Sequence, residues 1–183
     1  MNKFIIALLA TISLTLSSFK NEVQSAEWTP VSSSVTFKIK NAGFNVDGKF
    51  GAVTAKVVFD GTKSTSNTIE ATIDSKTINT GNGMRDGHLK KDEYFSSEKF
   101  PKIQMQSTSF SVESNGTFKG FFNLSIKGKT KNIVVPFSFV QKDNNGVFKG
   151  TFKINRLDFG VGESSMFLSD EVTLTLLLNV VKK

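Results

Sequence analysis

From Val35 onward the chain repeats every two residues, apolar then polar, which is the period of a half-buried strand. Val35, Phe37 and Ile39 alternate with Thr36, Lys38 and Lys40. Phe44 and Val46 lead through Gly48 to Phe50, and Val53, Ala55, Val57 and Phe59 read as continuing the same parity in one strand. Ile69, Ala71 and Ile73 follow, and then Ile103 and Met105, whose pattern resumes one residue out of step at Phe110 and Val112. Such a slip is the signature of a β-bulge. Four clearer runs come after it: Phe118 to Ile126, Ile133 to Phe139, Phe148 to Ile154 and Val172 to Val180. Eight strands are predicted.

Asn115-Gly116 and Asn145-Gly146 fall between consecutive runs, and Asn-Gly favours the positive φ angles of a tight hairpin. Short turns imply antiparallel neighbours, and closing an eight-stranded meander into an up-and-down barrel removes its exposed edges. Strands of eleven residues at about 3.3 Å each would make the barrel some ~36 Å deep. Gly120 and Gly150 lie on the inward parity, where they either leave space or mark a close backbone approach. One stretch, 82–99, does not alternate; a short helical segment is expected near 84–95, capped by Asp86. The run from Ser164 to Ser169 reads as a second irregular loop near an opening.

The charges decide which face is inside. Lys38, Lys40, Lys49, Lys56, Glu70, Asp74, Lys119, Lys149 and Lys153 all sit on the polar parity. A barrel spanning a membrane would turn these toward lipid, where each midplane Lys costs about 2–4 kcal/mol. A barrel in water, with the apolar face inward, is therefore expected. The aromatic residues of the chain are nearly all phenylalanine, eighteen against one Trp and one Tyr, and Phe adds apolar area without a polar handle.

At the start of the chain, Lys3 and the apolar run Phe4 to Leu16 read as a secretory leader, cut after Ser25 or Ala26. Residues 1–26 are thus expected to be removed and 27–183 to form one domain, periplasmic or secreted. Losing Lys3, Lys20 and Glu22 lowers the net charge of +7 by one. The lysines are dispersed, and no nucleic-acid partner is expected. No cysteine is present, which excludes a disulfide framework, a thiol nucleophile and a thiolate metal site.

The segment Thr80-Gly81-Asn82 with Arg85-Asp86-Gly87-His88-Leu89, Tyr94-Phe95 and Phe100-Pro101, the stretch Leu124 to Lys131, and Asn155-Arg156-Leu157-Asp158-Phe159-Gly160 together resemble the YceI-like family of lipocalin-like polyisoprenoid-binding proteins. The resemblance implies a lipocalin-like, eight-stranded antiparallel barrel holding an isoprenoid or similar long-chain amphiphile. Where that family often carries an Asp and a His, this chain has Ser32, Ser33 and Ser34.

Non-catalytic lipid binding or transport is the expected function, with no cofactor beyond a polyisoprenoid, isoprenoid quinone or fatty-acid-like ligand. Candidate ligand contacts are Phe37, Phe44, Phe50, Ile103, Met105, Phe122, Phe137, Phe139, Phe152, Leu174 and Leu176; the competing reading is a packed core. Arg85, Asp86 and His88 are candidate headgroup contacts, or else a cap and an ion pair. With one histidine in the chain, no metal site is expected. Two other readings compete: a filled barrel serving as a stress or adhesion module, and a hydrolase using His88 and Asp86. Transient contact with a membrane surface and a homodimer are both compatible with the sequence, but neither is derivable from it.

Overall fold

The computed structural model describes residues 26–62 and 65–183. The predicted leader, apart from Ala26, lies outside the described residues. Nine strands appear: β1 (Glu27–Asn41), β2 (Phe44–Phe50), β3 (Thr54–Val58), β4 (Thr68–Asp74), β5 (Lys102–Val112), β6 (Phe118–Ile126), β7 (Lys129–Lys142), β8 (Asn145–Asn155) and β9 (Leu168–Lys182). β1 pairs along one side with β9 and along the other first with β3 and then with β2. β2 and β3 thus share one position in the wall, and the barrel has eight, all neighbours antiparallel.

The break between β2 and β3 has a local cause. Apolar positions change from even to odd numbers across Gly51 to Val53, and a continuous strand would turn one half inside out. The amides freed by the break find side chains instead: Val53 N donates to Ser33 Oγ (2.9 Å) and Gly51 N to Thr77 Oγ1 (2.9 Å). Ser33 is therefore a structural acceptor. Ser32 accepts from Asn179 on the outer wall (2.7 Å), and Ser34 is exposed.

The expected bulge in β5 is present as a register shift between Ser107 and Ser109 against β6. One turn differs from expectation. Asp143 and Asn144, with Asp143 at φ 53°, connect β7 to β8, and Asn145-Gly146 already belongs to β8, Asn145 pairing with Lys142. Gly146 is buried, and a Cβ there would meet Phe139 at 2.8 Å, Val180 at 2.9 Å and Trp28 at 3.1 Å. These neighbours are themselves packed, so Gly146→Ala should lower stability by about 1–3 kcal/mol in urea titration. Gly87→Ala, in a helix with nothing within 4 Å, should do the opposite, by about 0.4–1 kcal/mol.

The two ends of the barrel are unlike. Trp28, the loop after Phe59, the Asn115-Gly116 turn, the Asp143-Asn144 turn and the end of β9 share one end. Phenylalanine closes it. Phe59, fully buried, meets the rings of Phe110, Phe118, Phe137, Phe139 and Phe148 at centroid distances of 5.2–5.7 Å. Trp28 Nε1 donates to the Phe59 carbonyl (2.7 Å), satisfying the one polar group of that plug. At the other end lie the β1–β2 hairpin, the segment 75–101, the β6–β7 hairpin and the loop 156–167. The charged residues assigned to the outer face, Lys38 through Lys153, are all exposed.

Candidate ligand-binding site

A cavity of about 240 Å³ runs inside the barrel from the phenylalanine plug toward the end carrying the irregular segments. Its walls are the inward parity of the strands, and its cover is built from 75–101 and 156–168. Of the candidate contacts, Phe37, Phe50, Ile103, Met105, Phe122, Phe137, Phe152, Leu174 and Leu176 line it. Two do not. Phe44 is 77% exposed at the tip of β2, and Phe139 belongs to the plug, stacked on Phe148 (4.4 Å) and edge-on to Trp28 (5.3 Å). Parity distinguishes inside from outside but not depth along the barrel, which is why both were misplaced.

Gly120 and Gly150 both lie hard against their neighbours, though Gly150 also lines the cavity. A Cβ on Gly120 would lie 2.3 Å from the Phe122 ring, which covers it, and one on Gly150 would lie 3.1 Å from the Pro136 carbonyl. Both are close-approach positions.

The cover is assembled from the motif residues. The helix α1 (Gly83–Leu89) is capped by Asn82, whose side chain accepts from Arg85 N (3.0 Å), and not by Asp86 as expected. Asp86 instead turns back, its Oδ1 accepting from Thr80 N (2.9 Å) and Thr80 Oγ1 (2.6 Å). Thr80 in turn accepts from Arg85, Nε to Oγ1 (2.7 Å) and Nη2 to the carbonyl (2.9 Å). Thr80, Arg85 and Asp86 thereby form one closed network. Arg85 lines the cavity, and among the described residues no acceptor meets its Nη1. His88 is exposed, resting edge-on against Tyr94 (5.3 Å), apart from the Asp86 carboxylate's partners.

A second arginine does different work. Arg156, 4% exposed, donates Nε to Ser169 O (2.9 Å), Nη1 to Val161 O (2.9 Å) and Nη2 to Glu163 O (2.8 Å) and Asp170 Oδ1 (2.9 Å). Every guanidinium nitrogen is occupied, so Arg156 holds the loop 161–170 across the barrel end. Lys127 adds a cross-tie between cover segments, donating to Gly160 O (2.6 Å) and Glu93 O (3.2 Å). Burial pushes its ammonium pKa down.

Below α1, Asp92 receives hydrogen bonds from Lys99 (2.6 Å) and Ser96 (2.6 Å), and the Lys99 bond foremost holds its carboxyl below the usual carboxylate range. That support is full above the ordinary value of 3.8 and disappears as pH falls through the lower folded value. Amide exchange at Ser96 and Ser97 should accelerate over that acidic window while exchange in the strands stays unchanged.

Val35, Ile39, Ile73, Leu124 and Val135, beyond the candidate contacts, also line the cavity, and strand parity is the signal that marks them. Leu89, Tyr94, Phe95, Phe159 and Val161 come from segments with no alternation, and no periodic signal marks them.

A closed antiparallel barrel with one packed end, one covered end and an apolar chamber between them is a lipocalin-like barrel. The chain belongs to the YceI-like family: the description of a YceI-like domain matches residues 27–180. A UPF0312 protein of Shewanella putrefaciens is 25% identical over 97% of this chain and 94% of its own length. Among solved structures, Burkholderia cenocepacia BcnA superposes with a TM-score of 0.76 at 24% identity, covering 80% of this chain and 95% of that one. A polyisoprenoid binding domain from Saccharophagus degradans, described as implicated in plant cell wall breakdown, superposes at 0.69 and 13% identity, covering 87% and 99%.

Proposed function

We propose that this chain binds an elongated apolar lipid inside the barrel, without chemical conversion, and carries it in the periplasm or outside the cell once the leader is removed. The ligand class is a polyisoprenoid, an isoprenoid quinone or a fatty-acid-like amphiphile. One observation carries this reading: the cavity wall is almost wholly apolar, and of its polar residues Asn41, Thr80, Arg85 and Arg156 lie at the covered end, with Lys149 alone toward the plug. A hydrocarbon tail would occupy the chamber, and Arg85 Nη1 would be the donor left for a polar head. The structural likeness to the polyisoprenoid binding domain of S. degradans supports the same class.

Energetics favour a carrier over a sink. Moving a methylene out of water gains about 0.8 kcal/mol, but the donor of such a lipid is a bilayer, itself apolar, so transfer is close to neutral. Tail length is then poorly discriminated, and contacts at the covered end set what selectivity there is. His88 rests against Tyr94 and Asp86 accepts from Thr80, an arrangement that favours the non-catalytic reading.

Filling the chamber tests the proposal. Ala71 lines the cavity midway along β4. Ala71→Phe should leave a folded, β-rich protein that retains at least ~10-fold less polyprenol or quinone, the equivalent of about 1.4 kcal/mol. Undiminished retention in that variant would place the lipid elsewhere.

A further inference from the structure

Among the described residues, the Phe and Met side chains more than two-thirds exposed are Phe44 (77%), Met84 (89%), Met166 (98%) and Phe167 (69%). All four lie at the covered end. Isolated exposed apolar side chains are ordinary, but four large ones at one end of a barrel mark a contact surface.

Register places them around the mouth of the cavity. Asn41, which lines the cavity, pairs with Phe44 on one side and with Leu168, another lining residue, on the other. Ala42 N donates to the Phe167 carbonyl (2.7 Å), fixing the 166–167 loop against the β1–β2 hairpin. Met84 is the chain neighbour of Arg85 on α1, and Arg85 faces the same chamber. At the opposite end the aromatic side chains are turned inward and packed on Phe59, and the exposed apolar residues toward it are the smaller Val31, Val112 and Val140.

The charge around this rim is basic. Among the described residues, Lys40, beside Asn41, and Lys90 and Lys91, at the end of α1, have no carboxylate within 4 Å, while the loop that bears Met166 carries two acidic side chains, Asp158 and Glu163. Near this end Asp47, Asp92, Glu98 and Asp170 are each held by a Lys or Arg and Asp86 accepts from Thr80, while Glu93, Asp158 and Glu163 make no ion pair among the described residues.

We infer that this rim is a docking surface for an anionic phospholipid bilayer, with Phe44, Met166, Phe167 and Met84 entering the headgroup boundary and the lysines meeting the lipid phosphates. Apolar insertion combined with anionic attraction is the ordinary physics of peripheral membrane contact. Docking in this orientation sets the cavity mouth against the bilayer, so a lipid passes between the two apolar phases without crossing water. The inference rests on the carrier reading for its purpose, though not for its geometry.

Vesicle sedimentation of the mature protein tests it. Wild type should bind phosphatidylcholine vesicles containing phosphatidylglycerol and release from them in high salt. The Phe44→Ser, Phe167→Ser double variant should bind at least ~10-fold more weakly, since two large apolar side chains no longer leave water on docking. Because both side chains are exposed, that variant should keep its thermal midpoint and still retain polyprenol offered in detergent. In a Phe44→Trp variant, fluorescence should shift to the blue only when anionic vesicles are added. Ala71→Phe, with its chamber filled, should dock like wild type, which separates failure of the docking surface from failure of the lipid site. Equal vesicle binding by the double variant, or no emission shift in Phe44→Trp, would overturn the inference. So would wild type that ignores vesicles and instead self-associates through this rim.

Discussion

Phe59→Ala should destabilise the barrel by about 3–5 kcal/mol, the largest effect expected of any single apolar truncation in this chain. The side chain is fully buried, and five-ring packing around it forms the plug: Phe110, Phe118 and Phe148 meet it edge-on, Phe139 likewise, and Phe137 at a tilt. Truncation removes dispersion contacts on every side at once, and surrounding strands tied by backbone hydrogen bonds cannot collapse onto the void. The Trp28 Nε1 bond to the Phe59 carbonyl involves backbone and survives, so the loss reports packing alone. For a domain of this size, the midpoint of thermal unfolding should fall by roughly 6–20 °C. Lipid retention should persist, because Phe59 does not line the cavity. A cost below about 1.5 kcal/mol would mean that the plug is loosely packed and that the chamber extends through it.

Arg156→Leu should cost about 3 kcal/mol or more, by a different mechanism. The guanidinium, 4% exposed, supplies donors to the carbonyls of Val161, Glu163, Leu168 and Ser169 and to Asp170. Leucine fills part of the volume but leaves those acceptors without partners, and removing one member of a buried ion pair costs about 3–5 kcal/mol. Asp170 is 41% exposed and can recruit water, which puts the expectation at the lower edge. Lysine offers a single ammonium where a planar fork is needed, so Arg156→Lys should recover less than half of the loss. The damage should be local at first: amide exchange should rise at Val161 and Gly162 before any change in β4 or β5. If protection of that loop is unaltered, Arg156 is not what holds it.

Much of the architecture was legible because a strand half in water must alternate. All eight wall positions follow from that period, and even the bulge at Ser107–Ser109 shows in it. The orientation of the wall was legible too, from Lys38, Lys119 and Lys153 falling on one parity. Depth was not. Phe122 and Phe139 share a pattern, yet one lines the chamber and the other plugs its end, since depth depends on register between strands distant in sequence. Asn145-Gly146 misled for a physical reason: glycine serves a turn through positive φ, but here it serves a strand by making room for Trp28 and Val180.

The covered end was the least legible part. Asp86 has the composition of a cap, and only the fold shows it bonded to Thr80 while Asn82 caps the helix. Arg85 and Arg156 stand in equally recognisable motifs, but counting donors in the structure is what separates them. Arg156 has every nitrogen engaged, whereas among the described residues Arg85 has one without an acceptor. Tyr94, Phe95 and Phe159 reach the chamber from irregular segments whose side-chain directions follow from the loop path and not from any period.

The claim that the chamber holds a long apolar lipid is tested most directly by native mass spectrometry of the mature protein, purified gently and then offered polyprenol or quinone. A one-to-one complex is expected, its added mass surviving in wild type and in Phe59→Ala and lost in Ala71→Phe. Protein that carries no lipid and retains none when it is supplied would contradict the account.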